Sequence, residues 1–211
     1  MKIELFADIA CPWCYIGERR LKRALDARGL AAEVVWRPFQ LQPGLPRDGQ
    51  PWDAFVDAKF GGAARAKPMF AHVAAAASGD GIDFRFDRMA VAPNTRDCHR
   101  LMMLAGEKGR TWEMAEALFR AYFTEGQDVT RGAVLAELAR SVGIDETETW
   151  AMLRSDRFTL EVDAGQARAA ELGVQGVPFF VFGDAYGLSG AQSYEVMLQV
   201  LDQATEHVST T

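Results

Sequence analysis

The chain has 211 residues, 49% of them hydrophobic, and a formal net charge of −6. That apolar content supports a sizeable core and excludes global disorder. The acidic balance excludes nucleic acid as the main partner, because phosphate binding needs clustered Lys and Arg, and three cysteines cannot build a disulfide framework.

In chain order, KIELFADI (2–9) alternates Ile3, Leu5, Ala7 and Ile9 on one face and predicts a strand. Glu4 and Asp8 interrupt what a signal peptide would need as an apolar run, and no segment approaches the ~18 apolar residues of a membrane span. The expected location is therefore the cytoplasm, with no membrane partner; there a close cysteine pair is catalytic or metal-binding sooner than structural. PWCYIGERRLKRALDA (12–27) predicts a helix stopped at Gly29, its basic run a solvated face. AEVVWRPF (32–39) predicts a second strand, parallel to the first.

Residues 41–51, rich in Pro and Gly, predict a loop. Helical periodicity then dominates, predicting helices over 52–60, 64–78, 95–108, 112–124, 131–142, 146–154 and 158–172, with GIDFRFD (81–87) extended. FFVFG (179–183) predicts a strand and AYGLSG (185–190) its hairpin partner across Gly183-Asp184. Ser189 and Gln192 have the spacing of a capping box before a last helix. The layout is β-α-β, a helical block, then β-β-α. It implies an α/β protein with a discontinuous domain, 1–44 and 172–211, interrupted by an α-helical insertion domain, 45–171.

The chemistry concentrates at CPWC. Pro12 suits the first helical position, which puts Cys11 at the N-cap or just outside it. There the free N–H groups and the helix dipole favour a thiolate, and such cysteines typically titrate at roughly 3.5–7.5. Cys14 lies one turn on, so the two sulfurs can bond. Cys14, Gly17, Leu21, Ala24 and Leu25 share one side of the helix, predicting a buried Cys14 below a more exposed Cys11. The exposed thiol would attack a disulfide and the shielded one would resolve the adduct. Zinc is the alternative: a lone CxxC is half a site, and Cys98-His99, adjacent rather than spaced, would have to complete it. A structural disulfide closing so short a loop would stabilise little.

Four stretches carry a family resemblance: DIACPWCYIGERRL (8–21), VVWRPFQLQP (34–43), PNTRDCHRL (93–101) and GVQGVPFFVFGDAYGLSGAQ (173–192). Together they resemble the DsbA-like thioredoxin superfamily, in particular its cytoplasmic FrnE-like branch. The resemblance implies a thioredoxin fold with an inserted helical domain, and a redox disulfide between Cys11 and Cys14. It also implies a cis peptide bond at Pro178, with the Val177 backbone pairing with an extended substrate segment. By itself, Pro178 reads as a proline opening a strand. Relatives carry a buried carboxylate six residues before the first cysteine; here that position is Leu5, leaving Asp8, Glu4 or a water as substitutes.

Other groups have two readings each. Asn94 or Thr95 caps the helix at 95–108. His99 lines the cleft near Cys11 or is a helix histidine bonded to backbone. Cys98 falls on an apolar face and reads as core. Met69, Phe70, Met102, Met103, Phe119 and Phe123 divide between core and a groove beside the CxxC, with Trp13 and Tyr15 at its rim. His72 and His207 have no assigned role.

The leading function is thiol–disulfide exchange on a disulfide- or dithiol-containing protein, peptide or small molecule. In a reducing compartment, reductase or isomerase work fits better than bulk oxidation. No metal or resident cofactor is expected; glutathione is a conceivable co-substrate, and a homodimer is allowed. The alternative is a glutathione-dependent isomerase or transferase of the 2-hydroxychromene-2-carboxylate isomerase or kappa type. Those typically carry serine at the first active-site position and an acidic turn before the last helix, where this chain has Cys11 and SGAQ. A zinc-binding module is the non-enzymatic reading.

Overall fold

The computed structural model describes residues 1–183 and 185–210, with side chains through residue 206; Asp184 of the expected hairpin turn and the His207 side chain lie outside the described residues. β1 (Lys2–Ala7) leads into α1 (Pro12–Arg28), and β2 (Glu33–Pro38) returns parallel to β1, setting Ile3 against Val34 and Leu5 against Trp36. Cys11 caps α1, Pro12 follows at its first position, and Gly29 ends it with φ 59°, a left-handed value that glycine adopts without strain.

The loop after β2 ends in β3 (Gln50–Pro51), which pairs antiparallel with β4 (Val91–Ala92). Strands of two residues are too short for any period to announce them. α2 (Trp52–Phe60) and α3 (Ala63–Ala76) lie between these strands. α4 (Arg96–Glu107), α5 (Thr111–Phe123), α6 (Gly132–Ser141), α7 (Glu146–Leu153) and α8 (Thr159–Glu171) follow. Their boundaries match the periodicity to within a residue or two.

Segment 81–87, expected to be extended, joins no strand, and its end closes in a short 3-10 turn at Phe86–Arg88. The Phe84 and Phe86 rings stack on one another with centroids 5.4 Å apart, and Phe86 stacks on Phe70 at 4.4 Å. The alternation that resembled a pleat places two rings in one aromatic cluster.

β5 (Phe179–Phe182) pairs antiparallel with β1, and β6 (Tyr186–Ser189) with β5, giving the order β2-β1-β5-β6. The final helix is α9 (Tyr194–Thr210). The Ser189/Gln192 capping box does not form, because β6 runs through Ser189. Ser193 takes that role, its Oγ accepting from the Val196 N–H at 3.3 Å, while the Gln192 amide donates to the Ser189 carbonyl at 2.8 Å.

Ile3, Leu5, Ala7 and Ile9 all enter the main core with α1 and α9, as their alternation requires. The residues between them are buried too. Phe6 joins Ala169 of α8 in a second cluster, and Glu4 is held by Arg37, whose Nε donates at 2.6 Å. β1 is therefore a central strand covered on both faces. α8, continuous in sequence with the helical block, packs on β2. Among the described residues no helix is long and apolar enough to cross a membrane.

Candidate active site

β1 stops at Ala7 and the chain turns through Asp8–Ala10, the Cys11 N–H donating to the Asp8 carbonyl at 3.0 Å. The Cys11 carbonyl then accepts the first helical bonds of α1, from Cys14 at 3.0 Å and Tyr15 at 3.4 Å. The two thiols are free and near enough for the Cys11 sulfur to act on Cys14. Cys11 also donates to the Val177 carbonyl at 3.5 Å. The Val177–Pro178 peptide is cis.

α1 reaches this loop because residue 17 is glycine. A Cβ there would stand 2.9 Å from the Pro178 ring and 3.1 Å from Phe180. The absent side chain seats the helix against the loop, one turn below Cys14.

Cys11 is 4% exposed and Cys14 0%. The order is the expected one, but Cys11 is not an exposed tip: α2, α3 and the 41–45 loop roof it over, leaving access through a cavity of about 320 Å³. Burial first, then the Cys11 sulfur, pushes the Cys14 thiol well above the ordinary range; the Asp8 backbone N–H opposes this and the Asp8 charge adds to it.

Trp13 and Val177 line the cavity with Cys11, and Trp52, Phe55, Phe70 and Phe123 form much of its wall. Lys59 is its one charged lining residue among those described. Of the apolar residues singled out in sequence, Met69, Phe70 and Phe123 face this space. Met102 and Phe119 are core, and Met103 lines a separate groove beside β2. Tyr15 is not at the rim. It is buried, stacked on Phe119 at 5.0 Å, with its hydroxyl donating to Glu116 at 2.9 Å. His72 packs against Trp13 with ring centroids 5.6 Å apart, a neighbour that spacing along the chain could not reveal.

Asn94 and His99 do not line the cavity. Asn94 Oδ1 accepts from the Arg96 N–H at 3.0 Å and from Gln40 at 3.1 Å, and its Nδ2 donates to the Leu45 carbonyl at 2.7 Å. It ties the 40–45 loop to the start of α4. A larger groove of about 820 Å³ passes Asn94 but includes neither cysteine of the pair. Arg47 and Arg96 along it are already paired with Asp97 and Asp163.

His99 is fully buried and its ring is bonded to one side chain rather than to backbone. Its Nδ1 accepts from Trp36 Nε1 at 3.1 Å, and its Nε2 lies 3.4 Å from Asp8 Oδ1. Asp8, also buried, accepts from the Leu41 N–H at 2.7 Å and the Ala10 N–H at 3.3 Å. With Glu4 engaged by Arg37, Asp8 is the carboxylate whose charge reaches Cys14. Cys98 is core, its thiol donating to the Val129 carbonyl at 3.4 Å. Among the described residues no group of three or more His, Cys, Asp and Glu side chains is placed to hold a metal, so the donor set a zinc module needs is not assembled there.

A parallel β-α-β followed by an antiparallel hairpin, with a CxxC opening the first helix opposite a proline loop, is the thioredoxin arrangement. Residues 2–202 match the DsbA-like thioredoxin domain. The chain belongs to that family, one of thiol–disulfide oxidoreductases. Among solved structures, a probable DsbA oxidoreductase from Streptomyces coelicolor is 39% identical, with TM-score 0.89 over 98% of this chain and 90% of that one. Two more distant DsbA-like folds are similar over nearly the whole length. The cytosolic disulfide reductase DsbM from Pseudomonas aeruginosa, described with GSH, is 17% identical with TM-score 0.70, covering 100% of this chain and 98% of that one. A 2-hydroxychromene-2-carboxylate isomerase is 18% identical with TM-score 0.71, covering 99% and 96%.

Proposed function

We propose that this DsbA-like protein exchanges thiols and disulfides through Cys11 and Cys14, as a reductase or isomerase in the cytoplasm. The observation that carries the reading is a pair of free thiols one turn apart at the start of α1, with Cys11 lining the cavity and Cys14 fully buried. The Cys11 thiolate attacks a substrate disulfide, forms a mixed disulfide and expels one substrate thiolate. Cys14 then attacks Cys11 Sγ, the second substrate sulfur leaves with the bonding electrons, and the Cys11–Cys14 bond closes. A dithiol or two glutathione molecules return the pair to the reduced state. Run backwards, the same steps oxidise a dithiol. Val177 and Pro178 would hold the substrate segment and Trp13 would border it. A disulfide-bearing protein, peptide or small molecule is the substrate class.

The test is a thiol titration of Cys11 and Cys14 across glutathione redox buffers, together with Cys14→Ser. A dithiol enzyme interconverts reversibly, and the variant stalls as a stable adduct on Cys11, read by mass spectrometry under non-reducing conditions. The fold shared with 2-hydroxychromene-2-carboxylate isomerase favours one second reading, a glutathione-dependent isomerase. Retained turnover of Cys14→Ser with glutathione supplied would select it.

A further inference from the structure

Thiol–disulfide exchange needs access to Cys11 Sγ, but it does not dictate the walls around it. Those walls are a run of rings from α2, α3 and the turn at Phe86. Trp52 stacks on Phe55 at 5.6 Å and on Phe70 at 5.8 Å, and Phe70 stacks on Phe86 at 4.4 Å. Phe60 stands edge-on to Phe55 and Phe70, at 6.1 Å and 5.6 Å. All five rings line the cavity and are only half-buried, so each keeps apolar area that a guest can withdraw from water.

One charge completes the lining. Lys59, one turn after Phe55 on α2, holds its ammonium 5.2 Å from the Phe55 ring centroid, within the usual reach of a cation over an aromatic face. It has no ion-pair partner among the described residues. No acid lines the cavity among those residues, and the Tyr122 hydroxyl is already committed to the Val91 carbonyl at 3.3 Å. Size narrows the guest further. About 320 Å³ is at the small end of the roughly 300–1,000 Å³ of ligand pockets. Cys11, 4% exposed, is reached through it, so the disulfide of a folded protein stays outside. Each half of glutathione disulfide carries two carboxylates and an ammonium. Lys59 would match one of those three charges, and the other two would lose water against aromatic rings with nothing in return. A single ring bearing a single acid answers both features of the lining.

We propose that the preferred substrate is a small aryl disulfide with an acidic group on the ring, its ring held against the Trp52–Phe70 wall and its acid on Lys59. This deepens, and rests on, the redox reading of Cys11 and Cys14. The Cys11 thiolate attacks the sulfur of the bound half. A Cys11–aryl disulfide forms, the substrate S–S bond breaks, and the other half leaves as a thiolate. Cys14, giving its proton to solvent, attacks Cys11 Sγ; the bound arylthiolate leaves and the Cys11–Cys14 bond closes. An external dithiol reduces that bond and is itself oxidised to a disulfide. Each turnover thus converts one aryl disulfide and one dithiol into two aryl thiols and one new disulfide.

The experiment mixes the reduced full chain with four disulfides at neutral pH, quenches in acid at intervals, and counts adduct and closed disulfide by mass. The four are 4,4′-dithiodibenzoate (ring and acid), 4,4′-dithiodipyridine (ring alone), 3,3′-dithiodipropionate (acid alone) and glutathione disulfide. Each rate constant is divided by that of N-acetylcysteine with the same disulfide, which removes differences in leaving group. The normalised constant for dithiodibenzoate is expected about 100-fold above those for dithiodipropionate and glutathione disulfide, since even one methylene in an apolar pocket is worth about 10–200-fold. Lys59→Gln should lower it about fivefold relative to dithiodipyridine, the upper end for an exposed charge pair, and high salt should erase the same advantage in the parent. Equal normalised constants for the aromatic and aliphatic acids overturn the proposal. So does an equal effect of Lys59→Gln on the acidic and the neutral aryl disulfide. Fast closure with glutathione disulfide alone sinks this assignment and leaves the redox reading standing. If none of the four yields the Cys11–Cys14 bond, the redox reading fails and the assignment falls with it.

Discussion

Cys11 opens onto a cavity walled by Trp52, Phe55, Phe70 and Phe123, whereas Cys14 is fully buried, within range of the Asp8 charge, and Asp8 in turn lies 3.4 Å from His99. The apolar side offers a substrate sulfur a dry, shaped space, but Lys59 is the only charge on its described lining. The polar side offers no room for a substrate, but it holds a carboxylate pinned by backbone donors. Two cysteines one helical turn apart thus lie in different surroundings. The cavity is built by the helical block, and the carboxylate by the turn after the central strand. On the proposed chemistry, the substrate binds on the Cys11 side and Cys14 resolves the adduct from the other.

The largest expected effect tests how costly buried charge is along α1. Glu18, one turn beyond Cys14, is buried; that burial first, then the charge of Glu116, pushes its carboxyl from 4.5 up to about 8. The folded chain binds this proton more tightly than the unfolded chain does. The resulting stability is full below pH 4.5 and is lost as pH rises through 8. Glu18→Gln, neutral at every pH, should therefore stabilise the fold by a few kcal/mol near pH 8–9 and by almost nothing near pH 4. Denaturant melts at the two pH values check this, and a gain of equal size at both would refute the buried-charge account.

Gly17→Ala comes next. The new methyl meets the Pro178 ring and Phe180, and such overpacking costs about 1–3 kcal/mol, partly offset by about 1 kcal/mol of helix propensity. A net loss in melting stability is expected, together with slower attack of Cys11 on a disulfide, because Cys11 moves relative to Val177. A stabilised variant would mean that the α1–Pro178 contact is looser than the structure has it.

Phe55→Asp sharpens the contrast between the two sides. It should lower kcat/KM for 4,4′-dithiodipyridine about tenfold, or about 1.4 kcal/mol, without slowing closure of the Cys11–Cys14 bond. Slowing of both steps would merge the two functions. Cys98→Ala is the smallest change. It removes one buried sulfur that does not line the cavity, costs about 1 kcal/mol, and should leave thiol–disulfide exchange intact.

The elements that were legible in sequence are those governed by near neighbours. The α1 start is set by Pro12 and its end by Gly29, and the central helices follow their own apolar period. The misread segments are those whose conformation depends on a distant partner. Residues 81–87 lack a strand to pair with and join Phe70 and Phe123 instead. Ser189 is drawn into β6 by Phe179 across the sheet, so the helix cap moves to Ser193. The site divides in the same way. Cys11 and Cys14 are a local spacing, and Val177 and Pro178 entered through a motif. His99, read as a cleft or backbone-bonded residue, is a partner of Trp36, 63 positions away.

By itself, the order of residues determined that two thiols meet at a helix start, that strands flank a helical block, and that the family's motifs occur in series. Those features depend on φ preferences, caps and periods spanning a few residues. Only the tertiary structure decided which aromatic rings wall the cavity, and that Glu4 is engaged by Arg37 while Asp8 lies beside His99. It also decided that the His99 ring meets the Trp36 indole, 63 positions away. Each of those outcomes requires side chains from separate elements to close on one another, and no local preference encodes which distant group will arrive.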